Sequence, residues 1–319
     1  MNDRHGLLSR RDALRLSLGA GAALALRPRD LWAMAGEDAR SSALFTKPIP
    51  STGEQLPVIG IGTARRYDVA VSDAELAPLG EVVRNFTRLG GRLIDTAPSY
   101  GNAEQVVGKL MAQARNRDQI FLATKVGRGG QGLEAGRAEM QQSLERLQVD
   151  KVDLMQVHSL QGVGVMLPVL REWKAAGKTR YIGVTTTNKG QYAELERLLR
   201  TEAMDFLQVD YAIDNRDVER TILPLAQERG VAVLTALPLG RGRVLGTLAR
   251  QPLPAWTQEF GIRSWPQFAL KYVVSHPAVT AAIPGTAKME YLTDNLAAAH
   301  APMPDAAARQ RMAALVEAA

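Results

Sequence analysis

Asp95, Tyr100, Lys125 and His158 each stand at or just beyond the end of a short apolar run. A tyrosine, with an ordinary pKa near ~10, is a poor acid at neutral pH unless a nearby ammonium stabilises its phenolate. Lys125 is the candidate ammonium. A buried lysine keeps its charge only beside a counter-ion, and Asp95 is the candidate partner. His158 can polarise a carbonyl oxygen beside the tyrosine. Together the four types suit one task, the protonation of a carbonyl oxygen as it is reduced. Taken singly, each has a plainer reading: a capping aspartate, a packed tyrosine, a lysine or histidine satisfied in the core.

What must bring them together is a set of strands. Apolar runs of strand length recur at Val58–Thr63, Arg92–Ala97, Ile120–Val126, Val152–His158, Thr179–Thr185, Phe206–Ala212, Val231–Leu239 and Thr280–Thr286. Helical patterns separate them, as in Gly136–Leu147, where Met140, Leu144 and Leu147 share a face. Continuous apolar strands alternating with helices call for a parallel sheet covered on both sides. Eight such units close a (β/α)8 TIM barrel, with chemistry at the C-terminal ends of the strands; a doubly wound open sheet is the alternative. Phe45–Leu56 reads as an N-terminal β-hairpin turning at Ser51-Thr52-Gly53-Glu54. Residues 36–319 are read as one barrel domain.

Gly127-Arg128-Gly129-Gly130-Gln131-Gly132 spells the dinucleotide-binding glycine pattern. That pattern needs an acidic residue at the far end of the next strand, and Val152–His158 ends in histidine instead, with Asp153 at its beginning. The stretch is therefore read as a flexible loop between strand and helix.

Composition narrows the classes. The chain has 319 residues, 46% hydrophobic and 23% charged, which describes a globular protein with ample core. No cysteine is present, which excludes disulfides, thiolate metal sites and a cysteine nucleophile, and four histidines leave little for a metal centre. No metal is expected. Net charge is +6, but residues 1–35 alone hold six arginines against three aspartates, so a nucleic-acid surface is not indicated. That segment reads as an address. Arg10-Arg11 precede a weakly apolar run from Leu16 to Leu26, and Ala33-Met34-Ala35 offers a cleavage site before Gly36. The run is too short to span a bilayer. The paired arginines resemble the bacterial twin-arginine (Tat) export signal, which implies the Tat machinery as a partner and a periplasmic location after cleavage following Ala35.

The stretches Asp95-Thr96-Ala97-Pro98-Ser99-Tyr100-Gly101-Asn102-Ala103-Glu104, Ala123-Thr124-Lys125, Asp153–His158, Ile182-Gly183-Val184-Thr185, Pro238-Leu239-Gly240-Arg241-Gly242 and Ile283-Pro284-Gly285-Thr286 with Asn295 resemble the aldo/keto reductase superfamily, in its order, from about residue 45 to 300. The resemblance implies a (β/α)8 barrel that uses NADP(H), lying extended across the barrel mouth, to reduce a small carbonyl substrate. It implies Tyr100 as proton donor, Lys125 and Asp95 as its tuning pair and His158 as the group orienting the carbonyl.

For the cofactor it implies Gly62 and Thr63 near the mouth, Gln208 on the nicotinamide carboxamide, Leu239, Gly240 and Arg241 on the pyrophosphate, and Gly285, Thr286, Asp294 and Asn295 on the adenosine side. The family's Ser-Asn pair falls on Thr185 and Thr186, and its stacking aromatic on Ala236. The arginine against the 2′-phosphate falls on Tyr291, leaving Lys288 as the nearest cation. Tyr67 and Arg66 are candidate pocket-lining residues. These departures leave a second reading open, a catalytically weak or non-catalytic barrel that binds nucleotide or carbonyl ligands.

Overall fold

Alternation along each strand divides the apolar residues into two cores. In Phe121–Val126, Phe121 and Ala123 join one buried cluster while Leu122 and Val126 join the other. The same split separates Leu93 from Ile94, Leu154 from Met155, Tyr181 from Ile182 and Phe206 from Leu207. A strand whose successive side chains point to opposite faces needs both faces covered. The smaller cluster fills the inside of a barrel, and the larger lies between the barrel and its helices.

The computed structural model describes residues 43–319, so the proposed export signal and its cleavage site lie outside the described residues. A hairpin, β1 (Thr46–Pro48) and β2 (Gln55–Pro57), comes first. Then follow β3 (Ile61–Gly62), β4 (Leu93–Asp95), β5 (Phe121–Val126), β6 (Val152–Val157), β7 (Thr179–Thr186), β8 (Phe206–Asp210), β9 (Ala232–Ala236) and β10 (Val279–Ala282). All eight are parallel and each pairs with its sequence neighbour. The ring closes where Ile59 bridges Ala282 and Gly62 bridges Gly285. At that seam a Cβ on Gly62 would stand 2.6 Å from the Ile283 carbonyl oxygen, so only glycine lets the two edges meet.

The helices are α1 (Asp73–Arg88), α2 (Ala103–Ala114), α3 (Leu133–Leu147), α4 (Val163–Ala175), α5 (Tyr192–Thr201), α6 (Ile222–Glu228), α7 (Arg243–Leu248), α8 (Trp265–Val274), α9 (Met289–Ala297) and α10 (Ala306–Glu317). Among the described residues no helix is long and apolar enough to cross a membrane. Buried Glu104 on α2 ties the outer layer together, accepting from Thr124 of β5 at 2.6 Å and from Ser143 and Arg146 of α3 at 3.2 and 2.8 Å.

The hairpin belongs to the inner core. Ile49 and Leu56 are fully buried in the interior cluster, and Glu54 bonds Arg92, Arg180 and Tyr181 at the strand beginnings. It therefore stoppers the end of the barrel opposite the chemistry. Several strands are shorter than the apolar runs suggest. The run Val231–Leu239 stops as β9 at Ala236, because Leu237 takes a left-handed conformation, φ 54°, and Pro238 follows.

Candidate active site

Inside the barrel the side chains change character with height. The lower layer is Leu93, Phe121, Leu154, Tyr181 and Phe206, all in the interior cluster. Moving to the strand ends by even steps gives Asp95, Lys125, Gln156, Thr185 and Gln208, every one buried. Polar groups in such a place need partners. The Lys125 ammonium, fully buried, donates to Asp95 Oδ2 at 2.6 Å and to the Thr96 carbonyl at 2.9 Å. Asp95 Oδ1 accepts from Gln208 Nε2 at 3.0 Å. Burial opposes the charge on Lys125, but the Asp95 carboxylate and the Tyr100 phenol facing it outweigh burial and hold the ammonium above the ordinary lysine value.

Tyr100 and His158 come to this pair from the loops after β4 and β6, the strands on either side of β5. The Lys125 Nζ stands 4.9 Å from the Tyr100 ring centroid. The His158 ring meets that of Tyr100 edge-on, at 5.8 Å and 86°. Burial, and then the charge of Lys125, push the His158 pKa down to about 4, so the imidazole is neutral at physiological pH. The Tyr100 turn is fastened by Gly101, φ 60°, packed on Asp68, whose Oδ1 accepts from the Asn102 N–H at 3.0 Å. Asp95, Tyr100, Lys125 and His158, expected together from their strand ends, are brought into one group.

The loop carrying His158 is held from two sides. Ser159 and Leu160 both adopt positive φ, 52° and 56°, and Gly162 follows at 64°. A Cβ on Gly162 would lie 2.2 Å from the Gly129 carbonyl carbon, and one on Gly129 would lie 2.3 Å from Met166 Cγ. The glycine stretch 127–132 is thus a packed 3-10 turn, Arg128–Gln131, and not the flexible loop expected. Its Gly127 and Arg128 N–H groups donate to Glu139 Oε2 at 2.6 and 2.8 Å. On the other side Gln191 Nε2 donates to the Ser159 carbonyl at 3.0 Å, while its Oε1 accepts from Thr186 Oγ1 at 2.5 Å. Gln191 escapes a sequence reading, because its position depends on a side chain folding back to a strand end five residues earlier.

The expected cofactor residues divide. Thr185 and Gln208 are register partners at the strand ends, and both face the polar layer. Loops after three neighbouring strands carry exposed cations: Arg241 and Arg243 after β9, Lys288 after β10, Arg66 after β3. Arg66 packs over Gly285, its Cγ 3.4 Å from where a Cβ would stand. Gly240, Arg241 and Gly242 form an unbroken left-handed stretch, and Leu239 packs against the outer core.

Other residues are engaged within the protein. Thr63 bonds the Asp95 carbonyl through both its N–H and its hydroxyl, at 3.0 Å each. Thr186 is bound to Gln191 and to the Asn188 N–H. Asp294 accepts from Ser264 and Gln267, and Asn295 donates to Thr286 at 3.0 Å. Lys288 faces Glu290 at 3.7 Å. Tyr67, expected to line the pocket, is fully buried in the outer core instead, because its ring packs with the helical layer. Burial raises its pKa. Among the described residues no three His, Asp or Glu side chains converge as a metal site.

A profile of the aldo/keto reductase family matches residues 58–315. An aldo-keto reductase of Bacillus subtilis, YhdN, is 31% identical over 216 residues, which span 64% of this chain and 64% of that relative's length. An Escherichia coli protein named as an NADH-specific methylglyoxal reductase is 27% identical, over 69% of this chain and 82% of its own. A Klebsiella pneumoniae aldo-keto reductase, solved in complex with NADPH, superposes with a TM-score of 0.72 at 26% identity, covering 86% of this chain and 96% of that one. With the closed eight-stranded barrel, the stoppering hairpin and the matched span all in agreement, this chain belongs to the aldo/keto reductase family.

Proposed function

We propose that this protein is an exported NADP(H)-dependent oxidoreductase that reduces aldehyde or ketone carbonyls to alcohols. The observation that carries the reading is the buried Lys125–Asp95 pair, 2.6 Å apart, with its ammonium facing Tyr100. An ammonium facing a phenol stabilises the phenolate left when the phenol hands its proton to a carbonyl oxygen. The mouth also fits a dinucleotide. Its arc of cations after β9, β10 and β3 suits phosphates, and Thr185 and Gln208 stand between that arc and the acid group. The Klebsiella relatives solved with NADPH and NADP support the same choice of nucleotide.

The bound nucleotide supplies the hydride. The protein's own part is acid catalysis and positioning. Neutral His158 donates a hydrogen bond to the carbonyl oxygen, polarising it. Tyr100 gives that oxygen its phenolic proton. Lys125 stabilises the phenolate left behind, and Asp95 keeps Lys125 charged. Turnover assays with NADPH and NADH on simple aldehydes and ketones test the reading. Tyr100→Phe keeps the ring and should lower turnover by roughly 10²–10⁴-fold, the usual general-acid contribution, with nucleotide binding intact. A Tyr100→Phe enzyme as fast as wild type would remove the assignment. Nucleotide binding without turnover of any carbonyl would favour the binding-only barrel.

Export rests on Arg10-Arg11 and Ala33-Met34-Ala35. Arg10→Lys with Arg11→Lys should strand a folded, nucleotide-competent precursor in the cytoplasm, whereas wild type fractionates to the periplasm cut after Ala35. Export unchanged by the double substitution would defeat the twin-arginine route.

A further inference from the structure

Ser99 stands beside Tyr100 in sequence and beside His158 in space. Its hydroxyl lies 3.3 Å from His158 Nδ1, and among the described residues this is the hydrogen bond each of those two atoms makes with another side chain. We propose that Ser99 is a positioning residue that donates to Nδ1 and so holds His158 in the tautomer carrying its proton on Nε2.

A neutral imidazole has one N–H, and the partner of one ring nitrogen decides where that proton sits. For His158 to donate to a carbonyl oxygen through Nε2, Nδ1 must be the acceptor, and the Ser99 hydroxyl is the donor in reach. Both backbones are fixed, so the contact is not incidental. Tyr100 N–H bonds the Ala97 carbonyl at 3.1 Å on the Ser99 side. Gln191 holds Ser159, and the Gly129–Gly162 contact holds the rest of the turn, on the other. The edge-on Tyr100 ring limits rotation of the imidazole. His158 stays neutral because burial and Lys125 oppose a second proton, so the choice of tautomer persists through the physiological range. This deepens the reductase reading and rests on it for its catalytic consequence, but not for the tautomer itself.

The test is nitrogen NMR of the full chain labelled at histidine, at neutral pH without ligand, with the His158 signals assigned by their loss in His158→Asn. Wild type should show a pyridine-type Nδ1 and a pyrrole-type Nε2. Ser99→Ala should give a mixed population and a fall in kcat of roughly 5–20-fold with KM little changed, whereas Ser99→Thr, which keeps the hydroxyl, should restore both. Ser99 is exposed, so neither change threatens the fold. A proton on Nδ1 in wild type, or a Ser99→Ala protein with unchanged tautomer and unchanged kcat, would overturn the proposal. If no carbonyl is turned over at all, the reductase reading fails while the tautomer measurement still decides the role of Ser99.

Discussion

Gln208 Nε2 donates to Asp95 Oδ1 at 3.0 Å, from the opposite side of the carboxylate to Lys125. The two residues come from strands 113 positions apart in the chain. The amide expected to hold a nicotinamide carboxamide thus also steadies the anion that keeps Lys125 charged. A carboxylate at low dielectric is stable only when both oxygens are satisfied, and Gln208 completes the set. It still has a carbonyl oxygen and a second N–H to offer a ligand.

The Lys125–Asp95 pair predicts a recognisable mutant cycle. Lys125→Met should destabilise the protein by about 3–5 kcal/mol, because Asp95 is left buried without its partner. Adding Asp95→Asn should recover much of that loss while activity stays low. Urea unfolding of both variants checks it, and additive losses would refute the coupling.

Gly162 and Gly164 lie two residues apart and should behave oppositely. Gly162→Ala forces a side chain into φ 64° and against Gly129, which should cost about 1–3 kcal/mol and lower kcat by shifting His158. Gly164 has open space around it inside α4, so Gly164→Ala should be neutral or stabilise by up to about 1 kcal/mol. Thermal melts and steady-state kinetics distinguish them.

Nucleotide preference should be modest. Lys288 faces Glu290 as well as any phosphate near it, so NADPH should bind more tightly than NADH by a small factor. Lys288→Ala should narrow the difference and Glu290→Gln widen it, read by titration. Equal affinities in wild type would contradict this.

Acid should unfold the protein from a higher pH than its carboxylates alone require. His158 is held at a pKa of about 4 by burial and Lys125, and His276 at about 4 by burial with Arg309 and Lys47. Unfolded histidine titrates near ~6.5, so between those values the unfolded chain takes up protons that the folded one refuses. Stability is therefore full above about 6.5 and falls as pH drops towards 4, with His158 contributing on the order of 3 kcal/mol. His276→Gln should make the fall in melting temperature across that window shallower than in wild type, each protein being compared with its own value at pH 8. An unaltered slope would sink the argument.

The barrel and its acid group were legible because alternation and strand ends are properties of the chain itself. Phe121, Ala123 and Lys125 share a face by spacing alone, and the loop closing each strand brings Tyr100 and His158 to the same rim. What stayed hidden depends on which of several partners a side chain selects. Asp294 bonds Ser264 and Gln267, thirty and twenty-seven residues away. Gln191 turns back to Thr186, and Tyr67 packs outward. Spacing cannot choose among such options. The glycine stretch 127–132 reads in the sequence as a loop, and its tight fit against Gly162 was invisible until the two loops met.

The hairpin stopper and the floor of Leu93, Phe121, Leu154, Tyr181 and Phe206 close the barrel beneath the Lys125–Asp95 pair among the described residues. The pair is a cul-de-sac for protons. In the proposed reduction, a proton given up by Tyr100 is replaced from the same rim at which substrate would enter and product depart. Replenishment and product exit then share a doorway, and whatever closes that doorway sets the pace of both.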